Sequence, residues 1–287
     1  GTPTMGGVII LLAILVSALL FCDLTNIYTQ LLIFTTVWCG GIGFADDYIK
    51  VFKHDKEGMS ERGKLILQVV LGCIVGLTVC FNNDIVIREK VRIEADADST
   101  HYLPQGSEDV DVDSETIVSQ SGWKMENIIK STKTTLPFIK AHEFDYKWLS
   151  PFSGKWGWYC KWAIYVIMIV IVITACSNGT NLTDGMDGLA AGTSAIVGIV
   201  LGILAWLSGN LINSNYLDIM YIPGTGEIAV FMSIFVGALF GFLWYNSFPA
   251  QIFMGDTGSL SIGGIIAVFA LCIRKELLLP LLCGVFL

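Results

Sequence analysis

Apolar runs of roughly 18 to 20 residues recur along this chain, each as long as a helix must be to cross a ~30 Å hydrocarbon core. Seven of them begin and end within the sequence, at about 6–22, 28–45, 64–82, 156–176, 189–207, 227–245 and 260–273, and an eighth opens at Leu277. Backbone placed in lipid has to satisfy its own N–H and C=O groups, which only helices and closed barrels do. A barrel strand would alternate apolar with polar residues, and these runs do not. Composition agrees: 54% of residues are hydrophobic and 15% charged, and the mean hydropathy is +0.66, all far from a soluble domain. The expected fold is therefore an all-α, polytopic transmembrane helical bundle of about eight spans. It divides into residues 1–82, a polar insert at 83–155, and residues 156–287. The first run lacks the basic flank and small-residue cleavage site of a signal peptide. The chain opens at Gly1 and stops inside an apolar run, so further segments of a parent protein are expected on both sides.

The formal net charge is -8, but it is not spread evenly. Residues 94–115 hold Glu94, Asp96, Asp98, Glu108, Asp109, Asp111, Asp113 and Glu115 with no Lys or Arg, which accounts for the whole imbalance. That stretch reads as a solvated excursion. The second half of the insert, with Trp123, Met125, Ile128, Ile129, Leu136, Phe138 and Trp148, has enough apolar content for a small ordered cap, without a catalytic constellation. Trp156, Trp158, Tyr159 and Trp162 suit an interfacial aromatic belt. No basic stripe marks a nucleic-acid partner. The eight cysteines lie mostly in apolar runs, form no CxxC pair and read as small buried hydrophobes. His54, His101 and His142 have no metal-ligand spacing.

Polar clusters sit at the ends of particular runs. Asp46, Asp47 and Lys50 follow the second, Asn181-Leu182-Thr183-Asp184-Gly185-Met186-Asp187-Gly188 follows the fourth, and Asp256 lies between the sixth and seventh. Taken alone, Asp-Gly-x-Asp is as easily an ordinary turn. Two crossings separate each cluster from the next, however, so all three belong to one membrane face, and the opening Gly1–Gly7 segment joins them. The short loop after the second run carries Lys50, Lys53, Lys56, Arg62 and Lys64, which places that face in the cytoplasm by the positive-inside rule; Arg274-Lys275 dissents. The insert is then extracytoplasmic.

Five carboxylates gathered at one face repel one another and raise each other's pKa. A divalent cation resolves the conflict, and oxygen ligands without nearby Cys or His favour Mg2+ or Mn2+ over Zn2+. Mg2+ held by one or two carboxylates commonly also holds substrate phosphates, and Lys50, one helical turn beyond the aspartate pair, suits a phosphate as a point charge. No GxxxxGK[ST] sequence occurs, so P-loop ATP hydrolysis is not indicated. The residues point to Mg2+-dependent phosphoryl chemistry at the membrane surface. A solute transporter lined by carboxylates is the alternative, though it expects acids within the spans rather than at their ends.

The strings GTPTMGG, FADDYIK, NLTDGMDGLAAG and WYNSFPAQIFMGDTGSLSIGG, in that order, resemble the polyprenyl-phosphate N-acetylhexosamine-1-phosphate transferase family, in its muramoyl-pentapeptide branch. The match runs from residue 1 to about 280, outside the insert. The resemblance implies a multi-pass protein of the bacterial inner membrane with ten spans, of which these are the second to ninth, and an active site facing the cytoplasm. It implies transfer of phospho-MurNAc-pentapeptide from UDP-MurNAc-pentapeptide to undecaprenyl phosphate, giving UMP and the first lipid-linked peptidoglycan precursor, with Mg2+ as cofactor and the lipid bilayer as setting. A homodimer is compatible with it. By motif, Asp46 and Asp47 match the catalytic aspartate pair, one of which deprotonates or positions the polyprenyl phosphate. Covalent and direct-attack routes both stay open. Asp256 matches a catalytic acid that ligates Mg2+, with Asp184 as a further metal ligand. Asn181, Asp184 and Asp187 match the polar loop around metal and nucleotide, and Lys50 a lysine for substrate phosphate. Phe253 matches an aromatic that stacks on uracil, with Asn246 nearby, although core packing would explain it equally. Thr4 lies in the opening motif, at the nucleotide. A family His-rich loop and an upstream Lys lie beyond this chain, so the fragment by itself is expected to be inactive. A sister branch that transfers GlcNAc-1-phosphate is the nearest rival. The insert exceeds the usual family hairpin.

Overall fold

The computed structural model describes residues 3–53, 58–82, 84–92, 123–129, 131–136, 143–149, 151, 155–217 and 219–286. The acidic segment 94–115 and all three histidines lie outside these residues. Helices dominate: α1 (Gly7–Phe21), α2 (Ile27–Phe52), α3 (Glu61–Phe81), α4 (Lys155–Thr183), α5 (Leu189–Ser208), α6 (Leu211–Tyr216), α7 (Thr225–Asn246), α8 (Gly255–Cys272) and the single turn α9 (Leu279–Leu282). Among the described residues six helices, α2, α3, α4, α5, α7 and α8, are long and apolar enough to cross a membrane. The protein is a multi-pass membrane protein, and its lipid-facing positions, such as Ile9, Leu20, Phe81, Ile196 and Trp244, are exposed and apolar.

The helix bounds depart from the apolar runs in an instructive way. α1 has 15 residues, about 22 Å at 1.5 Å per residue. It starts only after the Gly6 and Gly7 amides have bonded to Phe253 and Met254 carbonyls, and an Asp23–Thr25 turn follows it. Asn26 then caps α2 by accepting from the Tyr28 amide at 2.9 Å. α2 continues to Phe52, α4 to Thr183, and α8 begins at Gly255, so Asp46, Asp47, Asn181 and Asp256 are on helices, not in loops. Polar residues extend α4 because they have partners there: Thr180 and Thr183 hydroxyls donate to carbonyls one turn back, at 2.9 Å each. The eighth span expected from Leu277 is not a continuous helix within this chain. Residues 276–286 form two short 3-10 turns flanking α9.

α8 is the central element. Every residue from Thr257 to Cys272 is buried, with α2 and α4 packed most extensively against it, α1 and α5 less so. A helix apolar all round is what a bundle core requires. α3 packs on α4 through small residues: a Cβ on Gly72 would lie 2.9 Å from the Val170 Cα, and one on Gly76 would lie 3.0 Å from Val166. This Gly-x-x-x-Gly spacing lets two membrane helices approach closely where lipid supplies no hydrophobic drive.

The insert contributes two antiparallel hairpins, β1 (Ile87–Arg92) with β2 (Trp123–Ile129) and β3 (Lys133–Thr135) with β4 (Glu143–Asp145). The second is tied to the bundle end farthest from the aspartates. The Thr135 amide and the Thr134 hydroxyl both donate to the Arg274 carbonyl at 3.0 Å, and Lys275 Nζ donates to Thr135 Oγ1 at 2.7 Å. Tyr146 stacks near Tyr165, with centroids 5.1 Å apart. Of the expected belt, Trp156, Trp158 and Tyr159 are exposed, whereas Trp162 is buried and packs edge-on to Tyr165. The eight cysteines are free thiols.

Replacing Gly72 by Val should force α3 off α4, at a cost of roughly 1–3 kcal/mol by analogy with overpacked cores. A clearly lowered melting temperature in detergent, against an unchanged one for Gly41→Ala, whose added Cβ meets nothing within 4 Å, checks it.

Candidate active site

Two helix ends deliver three acids to one place. Asp46 and Asp47 lie in the last two turns of α2, and Asp256 in the first turn of α8. One carboxylate oxygen from each can be chosen so that all three lie within 4.8 Å of one another. Close backbone approach makes this possible. A Cβ on Gly43 would collide with the Asp256 carbonyl, and one on Gly255, at φ 72°, with the Thr4 carbonyl.

Asp47 is engaged with the start of α8. Its Oδ2 accepts from the Thr257 amide at 2.9 Å and the Thr257 hydroxyl at 2.6 Å, and its Oδ1 from the Asp256 amide at 3.2 Å. It acts as an N-cap supplied from another helix, satisfying amides that α8 cannot satisfy itself and facing the positive end of the helix dipole. Asp46, fully buried, faces cations instead. Lys50 Nζ is 2.6 Å from its Oδ2 and Lys64 Nζ 3.0 Å from its Oδ1. The same two ammonium groups reach Asp256 Oδ2, at 3.0 and 2.7 Å. The Met59 amide also donates to Asp46 Oδ1 at 2.6 Å, and Gly58, at φ 69°, lets that segment fold over the carboxylate.

The loop after α4 closes the site. Asp184 is beside Asp256, Asp47 and the Gly255 backbone. Burial first, and then the Asp256 charge, push its carboxyl up to about 7. Asn181 donates to Ser259 Oγ at 2.9 Å. Asp187 is not in the carboxylate cluster; its Oδ2 accepts from the Ala250 amide at 3.1 Å. Asn246 is buried with both ends of its amide engaged, accepting from Gly188 at 3.1 Å and donating to the Ile252 carbonyl at 2.8 Å. Those bonds brace the two loops. Phe253, half-buried, holds the opening segment through its backbone: its amide donates to the Pro3 carbonyl at 2.8 Å and its carbonyl accepts from Gly6 at 2.9 Å. Thr4 is exposed next to it.

Lys64, Thr257 and Ser259 also belong to the site, although no motif marks them as site residues in the sequence. Lys64 had a signal, being a lysine at the head of an apolar run on the carboxylate face. Thr257 and Ser259 had only their nearness to Asp256. Two of the basic residues that pointed to the cytoplasm, Lys50 and Lys64, are engaged with carboxylates, and the dissenting Arg274 and Lys275 are buried.

Three carboxylates meet two ammonium groups, and Asp184 adds a fourth acid, its pKa raised first by burial and then by the Asp256 charge. The donors are all oxygen, and among the described residues no His or Cys joins them. Such a set fits a hard divalent cation of the Mg2+ or Mn2+ class.

Residues 123–274, just over half of the chain, match the model of glycosyl transferase family 4. The whole chain aligns at 52% identity with the phospho-N-acetylmuramoyl-pentapeptide-transferase of Parabacteroides distasonis, covering 64% of that protein. It aligns at 53% with the one from Phocaeicola vulgatus, covering 63%, and at 52% with that of Flavobacterium johnsoniae, covering 66%. The chain thus spans just under two thirds of these curated relatives.

Because the folded pKa of Asp184 is above its unfolded value, the folded state binds this proton more tightly. Its contribution to stability is present at low pH and lost as pH rises through about 7. The metal-free protein should melt higher at pH 6 than at pH 8, and Asp184→Asn should remove that part of the difference. Cation binding should expel the same proton, so calorimetry of Mn2+ binding in buffers of different ionisation enthalpy should report more protons released at pH 6.5 than at pH 8.

Proposed function

The chain belongs to glycosyl transferase family 4, and from that membership we propose that it carries the catalytic core of an enzyme that transfers phospho-MurNAc-pentapeptide from UDP-MurNAc-pentapeptide to undecaprenyl phosphate. UMP and a lipid-linked peptidoglycan precursor are the products. The carrying observation is the cluster of Asp46, Asp47 and Asp256 with Lys50 and Lys64 at the ends of apolar helices. It is suited to a pyrophosphate that must be reached from the surface of a bilayer. The sugar and the peptide follow the names of the relatives.

Asp256 with Asp184, alongside the aspartate pair, would hold Mg2+. When bound, the ion would neutralise charge on the pyrophosphate and on the leaving UMP. The residues of the chain do the rest. Lys50 and Lys64, now paired with carboxylates, can pass to substrate phosphates and leave the carboxylates to the cation. Asp47, bound by three donors from α8, holds Asp256 in place. Asp46, which faces the two ammonium groups, the Met59 amide and the Asp256 carboxyl instead of capping α8, is the member of the pair that would position or deprotonate the polyprenyl phosphate. Asn181, Asp187 and Asn246 shape the loops where the nucleotide would rest, and Phe253, with Thr4 beside it, offers an aromatic face for uracil. The carboxylate end of the bundle faces the cytoplasm in this reading, where soluble UDP-sugars are found.

Full-length protein given undecaprenyl phosphate and each UDP-sugar in turn should release UMP from UDP-MurNAc-pentapeptide. Product from UDP-GlcNAc alone would overturn the substrate assignment, and solute flux in proteoliposomes without UMP would replace the enzyme by a transporter. Asp256→Asn should lower turnover by two or more orders of magnitude, since positioned electrostatics dominate phosphoryl transfer; a near-normal rate would remove the site. Single cysteines placed near Thr183 and near Asp109, in a background without reactive thiols, should label from opposite sides of the membrane.

A further inference from the structure

One turn deeper than the charged cluster, three of its helices are joined a second time. Gln68 of α3 and Asn178 of α4 form a reciprocal amide pair: Gln68 Nε2 donates to Asn178 Oδ1 at 3.1 Å, and Asn178 Nδ2 donates to Gln68 Oε1 at 3.0 Å. Gln68 Nε2 also donates to Ser177 Oγ at 3.2 Å, and the Ser177 hydroxyl donates to the Leu260 carbonyl of α8 at 3.0 Å. Gln68 is 1% exposed and Ser177 0%. Against the same stretch of α4, Gly263 brings α8 so close that a Cβ there would lie 2.7 Å from the Ser177 Cα.

The spacing relates this junction to the site. Gln68 follows Lys64 by four residues on α3, Leu260 follows Asp256 by four on α8, and Asn178 precedes Asn181 by three on α4. Residues three or four apart share a helix face. Each helix therefore carries a site residue and, one turn inward, part of the junction: Gln68 on α3, Ser177 and Asn178 on α4, and the Leu260 carbonyl on α8. A buried amide pair is a costly way to gain stability alone, because apolar groups of the same shape can do nearly as well. What it adds is direction: two reciprocal N–H···O bonds accept a single axial register, as a buried polar residue does in a coiled coil.

We infer that the Gln68–Asn178 pair, with Ser177, is a positioning device that sets the depth of Lys64 against Asp256 and Asp46. Among the described residues none of these three side chains is hydrogen-bonded to the charged cluster; they act through Lys64. The consequence for catalysis rests on the transferase reading above, whereas the placement of Lys64 does not.

The test uses full-length protein and two readouts. The first is activity-independent: a water-soluble carbodiimide, in chelator, joins an amine to a carboxylate only where they touch, and peptide mapping reports the Lys64–Asp256 or Lys64–Asp46 link. Wild type should give that link, Gln68→Leu should lose most of it, and the exchange Gln68→Asn with Asn178→Gln, which keeps both amides, should restore it. The second is kcat. Gln68→Leu should lower it about tenfold or more, as small misplacements do, yet should lower it no further in a Lys64→Ala background. Melting temperature confirms folding, and Gln68→Met takes over if Gln68→Leu does not fold. Retention of the link and of kcat in a folded Gln68 variant overturns the inference, as does an equal fractional loss of kcat with and without Lys64. If wild type transfers no sugar phosphate, the transferase reading falls and the cross-link alone decides the positioning role.

Discussion

The N-terminus of α8 is held by a carboxylate that belongs to another helix, and the rest of the structure is arranged around that contact. A helix buried from its third residue onward has little water at its first amides, so they find acceptors inside the protein. Asp47 supplies two of the bonds, to the Asp256 and Thr257 amides, and the Thr257 hydroxyl adds a third. Lys50 and Lys64 reach the same helix end by pairing with Asp256. The opening segment joins through the Gly7 amide and the Met254 carbonyl at 2.8 Å. The helix that fills the core is thereby also the helix that presents the site.

Charge balance at that end is deliberately incomplete in physical terms. Asp46 and Asp256 share two ammonium groups, and Asp47 is served by neutral donors, which leaves net negative potential beside Asp184. A purely structural network would gain by closing this deficit, since an unbalanced buried charge is expensive. A site that exchanged a cation and phosphates, as proposed above, would need it open. The same reasoning separates Asp46 from Asp47, which are neighbours in sequence and differ in what surrounds them.

The sequence was legible where lipid imposes its rules. Run lengths mark the spanning helices, and the count of crossings places Asp46, Asp47, Asp184 and Asp256 at one end of the bundle, where the structure has them. It was less legible where polar residues stay helical. The apolar run before Ser177 stops, yet α4 continues to Thr183, because Ser177, Asn178 and Asn181 all find partners on α3 and α8. Hydropathy cannot anticipate partners 78 to 110 residues away in the chain. Asp187 and Asn246 illustrate the converse: their residue types suit a ligand, but in this structure their side chains bind backbone and hold loops.

The two aspartates of α2 also differ in when they can be satisfied. Asp46 has Lys50 one turn along the same helix, 2.6 Å away, so its charge can be neutralised as soon as α2 forms. The acceptor sites of Asp47 wait for amides 209 and 210 residues further along the chain. In ordered, N-to-C synthesis Asp47 therefore lacks these partners until α8 has been made, whereas Asp46 has an ammonium partner from its own helix.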